Sequence, residues 1–525
     1  MTTHDVVRGV LAGARVDPGA PAIRAGRRSL RHGELHRRVD VLTARLRAEG
    51  LRPGDRMLFT VRPGPDAVVL ALALLRAGGV LVVADPGAGP AVFAARVALT
   101  RPSWAAAESL LYALRGSAPL RPLAARRGLL LPDYGALGVR LIRSGPWLPG
   151  VPRGAGSLTS WSTRPSPPAV EEGEDPGEGS TDPALVVFTS GTTGAPRAVV
   201  HSRRSLGTAL ATATTALALQ PGDTVLTDQL MIGLTALAAG ACWDVPPIGA
   251  APAVLARRLR ESGPSHVFTT PVTWDGMLTE GGADGWPDSL RHLLTGGAPV
   301  PAGLLARLAA AAPHARVTAL YGGTELLPAA TVDAPEKVAY DGAGDLVGRL
   351  LPGVGARIDP GSGEVHLTAG HLCEGYLGAQ GVLPMGEFAT GDAGFVVPAP
   401  DGDRLVLTGR LKEMIIRGST NIYPGLYEPE VRKLAGVREC ALVGLPDPRT
   451  GDERVVLAVV AAPGTSAAQV LQRVRAALPR AFDAAATPDD VLLVEALPRS
   501  GRSGKLDRTR LADLVRSRLQ TGAGP

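Results

Sequence analysis

Phe188-Thr-Ser-Gly-Thr-Thr-Gly-Ala-Pro-Arg-Ala-Val-Val-His201 is the stretch whose reading decides the fold. Ahead of it, Ala184 to Phe188 is a short apolar run of strand character, and from Ser202 onward the pattern opens a helix. Between them stand two glycines three residues apart, three hydroxyls in four residues and a basic residue. Glycine lets backbone N–H groups turn toward an anion, hydroxyls add donors, and Arg197 adds positive charge. The stretch therefore reads as a phosphate loop, with Thr189, Ser190, Gly191, Thr192, Thr193, Gly194 and Arg197 as the cradle. An ordinary Ser/Thr/Gly turn is the bland alternative, and the order strand, hydroxyl-glycine loop, proline, base argues against it. The loop is not of the Walker type, which needs Gly, four residues, then Gly-Lys-Ser/Thr. Gly504-Lys505 fails that pattern too, because Leu506 stands where a magnesium-binding hydroxyl is required.

The 525 residues allow several domains and a sizeable core. Hydrophobic residues make up 45% and aromatics 4%, a globular composition whose core must rest on Leu, Val and Ala. The net charge of +6 is spread along the chain, without the clustered bases and aromatics of a nucleic-acid binder. Four of the 55 basic residues are lysines, Lys337, Lys412, Lys433 and Lys505, and the other 51 are arginines. A lysine that persists against such a bias is a candidate for work that arginine cannot do. Cys242, Cys373 and Cys440 are odd in number and far apart, which excludes a disulfide framework and a cysteine metal cluster. No signal organisation opens the chain, and its longest apolar run, Ala67 to Leu75, is too short to cross a membrane. These features lead to the expectation of a cytoplasmic enzyme with no membrane span.

Outward from the loop, the N-terminal side carries a helical pattern through Leu35, Val39, Leu42 and Leu46. Strand Arg56 to Val61, helix Asp66 to Ala77 and strand Val80 to Ala84 follow. This is β-α-β logic and implies a parallel sheet. From Ser144 to Asp182 the composition shifts to Pro, Gly, Ser and the acidic patch Glu171-Glu-Gly-Glu-Asp175, the signature of a flexible insertion at the mouth of the loop. Beyond the loop, helices and strands alternate over residues 203 to 295.

Further segments follow in a fixed order: Gly296-Gly-Ala-Pro-Val300, Tyr321-Gly-Gly-Thr-Glu325, and Gly363-Glu-Val-His-Leu-Thr with Gly375-Tyr-Leu as a small β segment. Then come Glu387-Phe-Ala-Thr-Gly-Asp-Ala-Gly394, Leu407-Thr-Gly-Arg-Leu-Lys-Glu-Met-Ile-Ile-Arg-Gly418, Asn421-Ile-Tyr-Pro424 and Leu497-Pro-Arg-Ser-Gly-Arg-Ser-Gly-Lys-Leu506. Together with the phosphate loop, this order resembles the adenylate-forming superfamily: acyl-CoA synthetases, luciferases and peptide-synthetase adenylation domains. The resemblance spans Pro21 to Leu519 and rests on six motifs. In that family the loop reads aromatic-Thr-Ser-Gly-Ser/Thr-Thr-Gly-x-Pro-Lys-Gly, so Arg197 and Ala198 replace the usual lysine and glycine.

The resemblance implies an α/β fold. A large multi-subdomain N-terminal domain with parallel sheets would cover residues 1–409, and a small mobile α+β domain residues 410–525. It implies that Gly297, Ala298 and Pro299 form an adenine wall, that Tyr321 stacks on the base with Gly322 beside it, and that Thr324 reaches the α-phosphate. Glu325 would hold Mg²⁺, which prefers hard oxygen. Asp392 would take both ribose hydroxyls, and Arg410 the ribose or α-phosphate. Lys412 would be the hinge, and Lys505 would contact the acid carboxylate and α-phosphate.

The implied activity joins ATP and a small-molecule carboxylic acid into an acyl-adenylate, then transfers the acyl group to coenzyme A. Alternatives are transfer to the phosphopantetheine of an acyl carrier protein, internal capture as in β-lactone synthetases, and a degenerate nucleotide-binding protein. The acid-pocket stretch, Leu226-Thr-Asp-Gln-Leu-Met-Ile-Gly233, lacks the Phe-Asp aspartate of amino-acid-activating domains, so a fatty or other non-amino acid is expected; Asp228 reads as a surface or capping residue. A monomer or homodimer is expected.

Overall fold

The computed structural model describes residues 5–83, 90–116, 133–164, 180–189, 197–247, 249–280, 285–411, 414–418, 420–422, 424–500 and 505–520. Two large sheets organise the chain up to Arg410. In the first, parallel strands Arg56–Thr60, Val80–Val83, Trp104–Glu108 and Pro183–Thr189 form the centre. Their runs of Leu, Val and Ala are buried on both faces, as parallel strands covered by helices require. The helix Pro65–Arg76, apolar nearly all round, fills the space between these strands and the helix His32–Ala48.

Beyond Pro183–Thr189 this sheet changes character. Arg197–Ser202 returns antiparallel, with Thr189 opposite Arg197 and Phe188 opposite Ala198, and Gly375–Gly378 then adds antiparallel to Arg197–Ser202. The expected small β segment is therefore divided between sheets. Gly375–Gly378 joins the phosphate-loop strands, whereas Glu364–Thr368 pairs with Gly355–Ile358 and Phe388–Val397 in the second sheet.

The second sheet carries parallel strands Thr224–Leu226, Cys242–Val245, His266–Thr269, His292–Gly296 and Arg316–Gly323, continued antiparallel by Leu326–Asp333 and Asp345–Leu350. The two sheets share one apolar core, in which Leu70 and Leu74 join Ile23, Trp243 and Leu320. Candidate site residues stand where these parallel strands end, the usual place for a ligand on such sheets.

Part of the stretch expected to be a flexible insertion is folded. Gly156–Ser157 pairs parallel onto Arg140–Ser144, and Leu158–Thr163 is a helix whose buried Ser162 accepts a 2.8 Å hydrogen bond from the Arg38 guanidinium. A six-residue helix between Pro- and Gly-rich turns is too short to shift local composition, which is why a compositional reading misses it. The acidic patch Glu171 to Asp175 lies outside the described residues.

After Arg410 the chain builds a separate core. Leu411 N–H still bonds the Gly391 carbonyl at 2.8 Å, whereas Ile415 is already buried with Tyr427, Leu442, Leu457 and Val474. Val437–Pro446, Glu453–Ala461 and Asp490–Leu493 form its sheet. Successive residues point to opposite faces: Leu442 and Leu457 pack on helices Pro424–Arg432 and Ala467–Ala481, and Ala441, Val443 and Val456 on helix Arg508–Gln520.

Candidate active site

The expected phosphate loop connects two strands that are hydrogen-bonded to each other. Thr189 and Arg197 face one another at its mouth, and Ser190, Gly191, Thr192, Thr193 and Gly194 lie outside the described residues. The strand Arg197–Ser202 intervenes before the expected helix, which begins at Arg203 with Ser202 as its cap in a reciprocal capping box with Ser205. Ala198 is buried with Val186, Val200 and Leu377, so its methyl group points into the core and away from the face that carries Arg197. The departure from glycine at 198 thus fills core space.

Thr324 and Glu325 are the two connecting residues of a tight hairpin between Arg316–Gly323 and Leu326–Asp333. Close backbone approach explains the glycines: a side chain on Gly322 would meet the Leu326 carbonyl at 2.7 Å, and one on Gly323 the Phe388 ring at 2.8 Å. The hairpin is tied to the phosphate-loop strand, because His201 Nε2 lies 2.8 Å from the Thr324 carbonyl oxygen. A carbonyl only accepts, so Nε2 carries the proton, and burial lowers the His201 pKa, keeping the ring neutral.

Glu325 is buried and accepts a 2.8 Å hydrogen bond at Oε1 from the Tyr376 hydroxyl. Burial first, then the Glu325 charge and that hydrogen bond, raise the Tyr376 pKa, so the phenol stays protonated and donates. The Arg197 guanidinium stacks over the Tyr376 ring, 5.3 Å from its centroid. Among the described residues no group of three or more His, Cys, Asp or Glu could hold a metal ion alone. One carboxylate beside a phosphate loop nevertheless suits Mg²⁺, which takes one or two carboxylates and completes its shell with nucleotide phosphates and water.

On the other side of the hairpin, the Tyr321 hydroxyl donates to Asp392 Oδ2 at 2.8 Å. Asp392 is buried and is held in turn by its N–H bonding Thr390 Oγ1, and the Gly391 N–H bonds Glu364 Oε1. Arg410 lies opposite Asp392 across the antiparallel pair, so the strands bring their backbones together. Gly296 ends its strand against the neighbouring one, and Gly297, at φ +80°, adopts a conformation that favours glycine. The Pro299 carbonyl contacts Gly451 of the C-terminal unit, and Arg449 pairs with buried Asp275 at 3.0 Å, so the two units touch at the Gly297–Ala298–Pro299 turn.

Lys505 does not sit on a plain loop. It forms, with Leu506, a two-residue strand paired to Arg499–Ser500, immediately before helix Arg508–Gln520. Lys412 lies outside the described residues, between the last bond to the large sheet and the first buried residue of the small core. Of the other lysines, Lys337 is buried and bonds Asp345 and the Leu346 carbonyl, a structural task suited to a compact ammonium, and Lys433 pairs with Glu430 on the surface. Asp228 is exposed and accepts a hydrogen bond from the Gln229 side chain.

Comparison with known proteins identifies the family. A model of the AMP-binding enzyme family matches residues 11–377, and one of the AMP-binding enzyme C-terminal domain matches residues 428–505. The chain belongs to the AMP-binding enzyme family. This AMP-binding enzyme is 30% identical over 473 residues to a feruloyl-CoA synthase of Amycolatopsis sp, covering 84% of this chain and 85% of that protein. A fatty acid–[acyl-carrier-protein] ligase, ScoC, of Streptomyces coeruleorubidus is 28% identical over 482 residues, covering 86% and 85%. The amide bond synthetase McbA of Marinactinospora thermotolerans shares the fold, with a TM-score of 0.77 and 24% identity over 97% of this chain and 99% of that one. Two residues that contact the Thr324–Glu325 hairpin were not singled out from sequence as functional: Tyr376 and His201. Both were visible beside glycine motifs, but their partners are distant in sequence.

Proposed function

We propose that this AMP-binding enzyme activates an apolar, non-amino carboxylic acid as its acyl-adenylate and transfers the acyl group to the thiol of coenzyme A. The observation that carries the reading is the convergence on one hairpin of a phosphate-loop strand, a buried carboxylate and a tyrosine–aspartate pair. Each matches one part of ATP. Arg197 and the loop suit the phosphates, Glu325 the magnesium, Tyr321 the base and Asp392 the ribose diol, for which a carboxylate is the natural acceptor.

A narrow apolar recess reached by Leu320, the residue before Tyr321, supports the choice of acid by its lining and not by its size, since it holds little more than a water molecule as it stands. Ala209, Ala213, Met231, Ile232, Leu320, Leu327 and Pro328 line it with Thr235, and none of them is charged. Such a lining suits a hydrocarbon or aromatic acid and offers nothing to an α-ammonium group. The relationship to a feruloyl-CoA synthase supports coenzyme A as acceptor over the carrier thiol of the carrier-protein ligase.

In this reading the acid's carboxylate oxygen attacks the α-phosphorus in line, forming the new P–O bond as the bond to pyrophosphate breaks. Thr324, Arg410 and Lys505 bear on the α-phosphate and the attacking carboxylate, where positive charge and donors lower the barrier. Bound Mg²⁺ supplies charge neutralisation on the phosphates. The small domain then turns about Lys412, withdrawing Lys505, and a thiolate attacks the acyl carbon with AMP as leaving group. Pyrophosphate release on a panel of acids, with product masses measured after adding coenzyme A or a phosphopantetheinylated carrier, tests the proposal. Acid-dependent release and an acyl-CoA are expected. ATP binding without release on any acid would instead favour a nucleotide-binding protein.

A further inference from the structure

Tyr376 stands where the phosphate-loop strand meets the Thr324–Glu325 hairpin. Its strand pairs antiparallel with Arg197–Ser202, Tyr376 opposite Val199. Arg197 and Val199 share one face of their strand, so the Arg197 guanidinium reaches over the Tyr376 ring. The phenol in turn donates to Glu325 Oε1 at 2.8 Å. The Glu325 backbone is fixed independently, its carbonyl accepting the Cys373 N–H at 2.9 Å from the segment that leads into the same strand. Guanidinium, phenol and carboxylate thus form one continuous polar row, half to fully buried, running from the mouth of the phosphate loop to the carboxylate suited to a metal ion.

The row gives the Arg197 departure a physical role. A planar guanidinium covers an aromatic face with its plane while its N–H groups point outward from the edge, which the point charge of a lysine does not do. With Oε1 engaged by the phenol, the carboxylate is held in one orientation, and among the described residues no hydrogen bond engages Oε2. We propose that Tyr376 is a positioning residue that couples nucleotide phosphate to magnesium in this enzyme, by holding Arg197 and Glu325 at a fixed separation. The proposal deepens the ATP-dependent reading above and rests on it.

Calorimetric titration of ATP in the absence of any acid, with magnesium and with a chelator, tests the coupling without turnover. In the wild type, magnesium should tighten ATP binding. Tyr376→Phe keeps the ring and removes the hydroxyl, and should reduce that magnesium enhancement about tenfold, as expected for one lost hydrogen bond to a charged group. Metal-free ATP affinity and the thermal midpoint should stay close to wild type. In an Arg197→Lys background, where the row is already broken, Tyr376→Phe should change the enhancement less than about threefold. An unchanged enhancement in Tyr376→Phe, or an equal loss of ATP affinity with and without magnesium, would overturn the coupling and leave the functional reading standing. So would a full tenfold effect persisting in the Arg197→Lys background. Failure of the wild type to bind ATP at all would overturn both readings together.

Discussion

Replacing Tyr321 with phenylalanine removes a single oxygen, and the structure states what that oxygen does: it donates to Asp392 Oδ2 at 2.8 Å. Asp392 is only 7% exposed, so water replaces the lost donor poorly. A hydrogen bond to a charged group contributes about 1.5–3 kcal/mol, equivalent to a factor of about 10 to 150 in an equilibrium constant. The backbone bond to Thr390 and the pairing with Arg410 still hold the Asp392 main chain, so the lower end, about tenfold, is expected. ATP affinity should fall by that factor, because the phenylalanine ring can still stack on the base and the loss falls on the ribose. The assay is direct titration of Tyr321→Phe and wild type with ATP and with 2′,3′-dideoxy-ATP, which lacks the hydroxyls that Asp392 is proposed to take. Wild type and variant should bind the dideoxy nucleotide equally. An equal loss for both nucleotides would refute the ribose role and reduce the Tyr321–Asp392 bond to a structural contact.

The lysines proposed as clamp and hinge should separate the half-reactions. Lys505→Ala should abolish acid-dependent pyrophosphate release yet spare thioester formation from supplied acyl-adenylate, and Lys412→Pro should do the reverse; quenched-flow product analysis distinguishes them. Ala198→Gly should destabilise the fold by about 1.5 kcal/mol, from a lost buried methyl and added chain entropy, while ATP affinity measured by titration is unchanged. His266 and His292 are buried with pKa values lowered to about 4, chiefly by burial. Between about pH 6.5 and 4 the unfolded chain binds protons that the folded chain does not. The stability contribution of each is therefore fully present above that window and falls as pH drops through it, by up to about 3 kcal/mol each. Urea midpoints measured across the window should show this, and a His266→Gln/His292→Gln variant should flatten it.

The site motifs were legible because each marks a place where backbone, not side chain, is constrained. Gly297 needs a positive φ, Gly322 and Gly323 permit a two-residue hairpin, and such demands leave glycines that a single sequence displays. The β-α-β opening was legible for a similar reason, since parallel strands buried on both faces read as unbroken apolar runs. Long-range register was not legible. Ser202 and Glu374, 172 residues apart, join at 2.6 Å, and the same strand pairing sets Tyr376 on Arg197 and Glu325. Nothing local specifies that partner, so Gly375-Tyr-Leu was grouped with Glu364–Thr368, which belongs to the other sheet. Ala198 looked anomalous for the complementary reason: as a loop residue its methyl group is an obstruction, and as a strand residue facing Val186 and Leu377 it is core. The insertion over 144–182 was half misread because a six-residue helix anchored by Arg38 and Ser162 leaves little compositional trace.

The central claim is that the residues gathered around the Thr324–Glu325 hairpin make an acyl-adenylate. Its most direct measurement is isotope exchange between pyrophosphate and ATP across a panel of apolar acids. The account predicts exchange that requires both magnesium and an acid, that prefers uncharged hydrocarbon or aromatic acids over amino acids, and that is lost in Glu325→Gln. Exchange indifferent to the acid, or absent with every acid while ATP binds tightly, would contradict it.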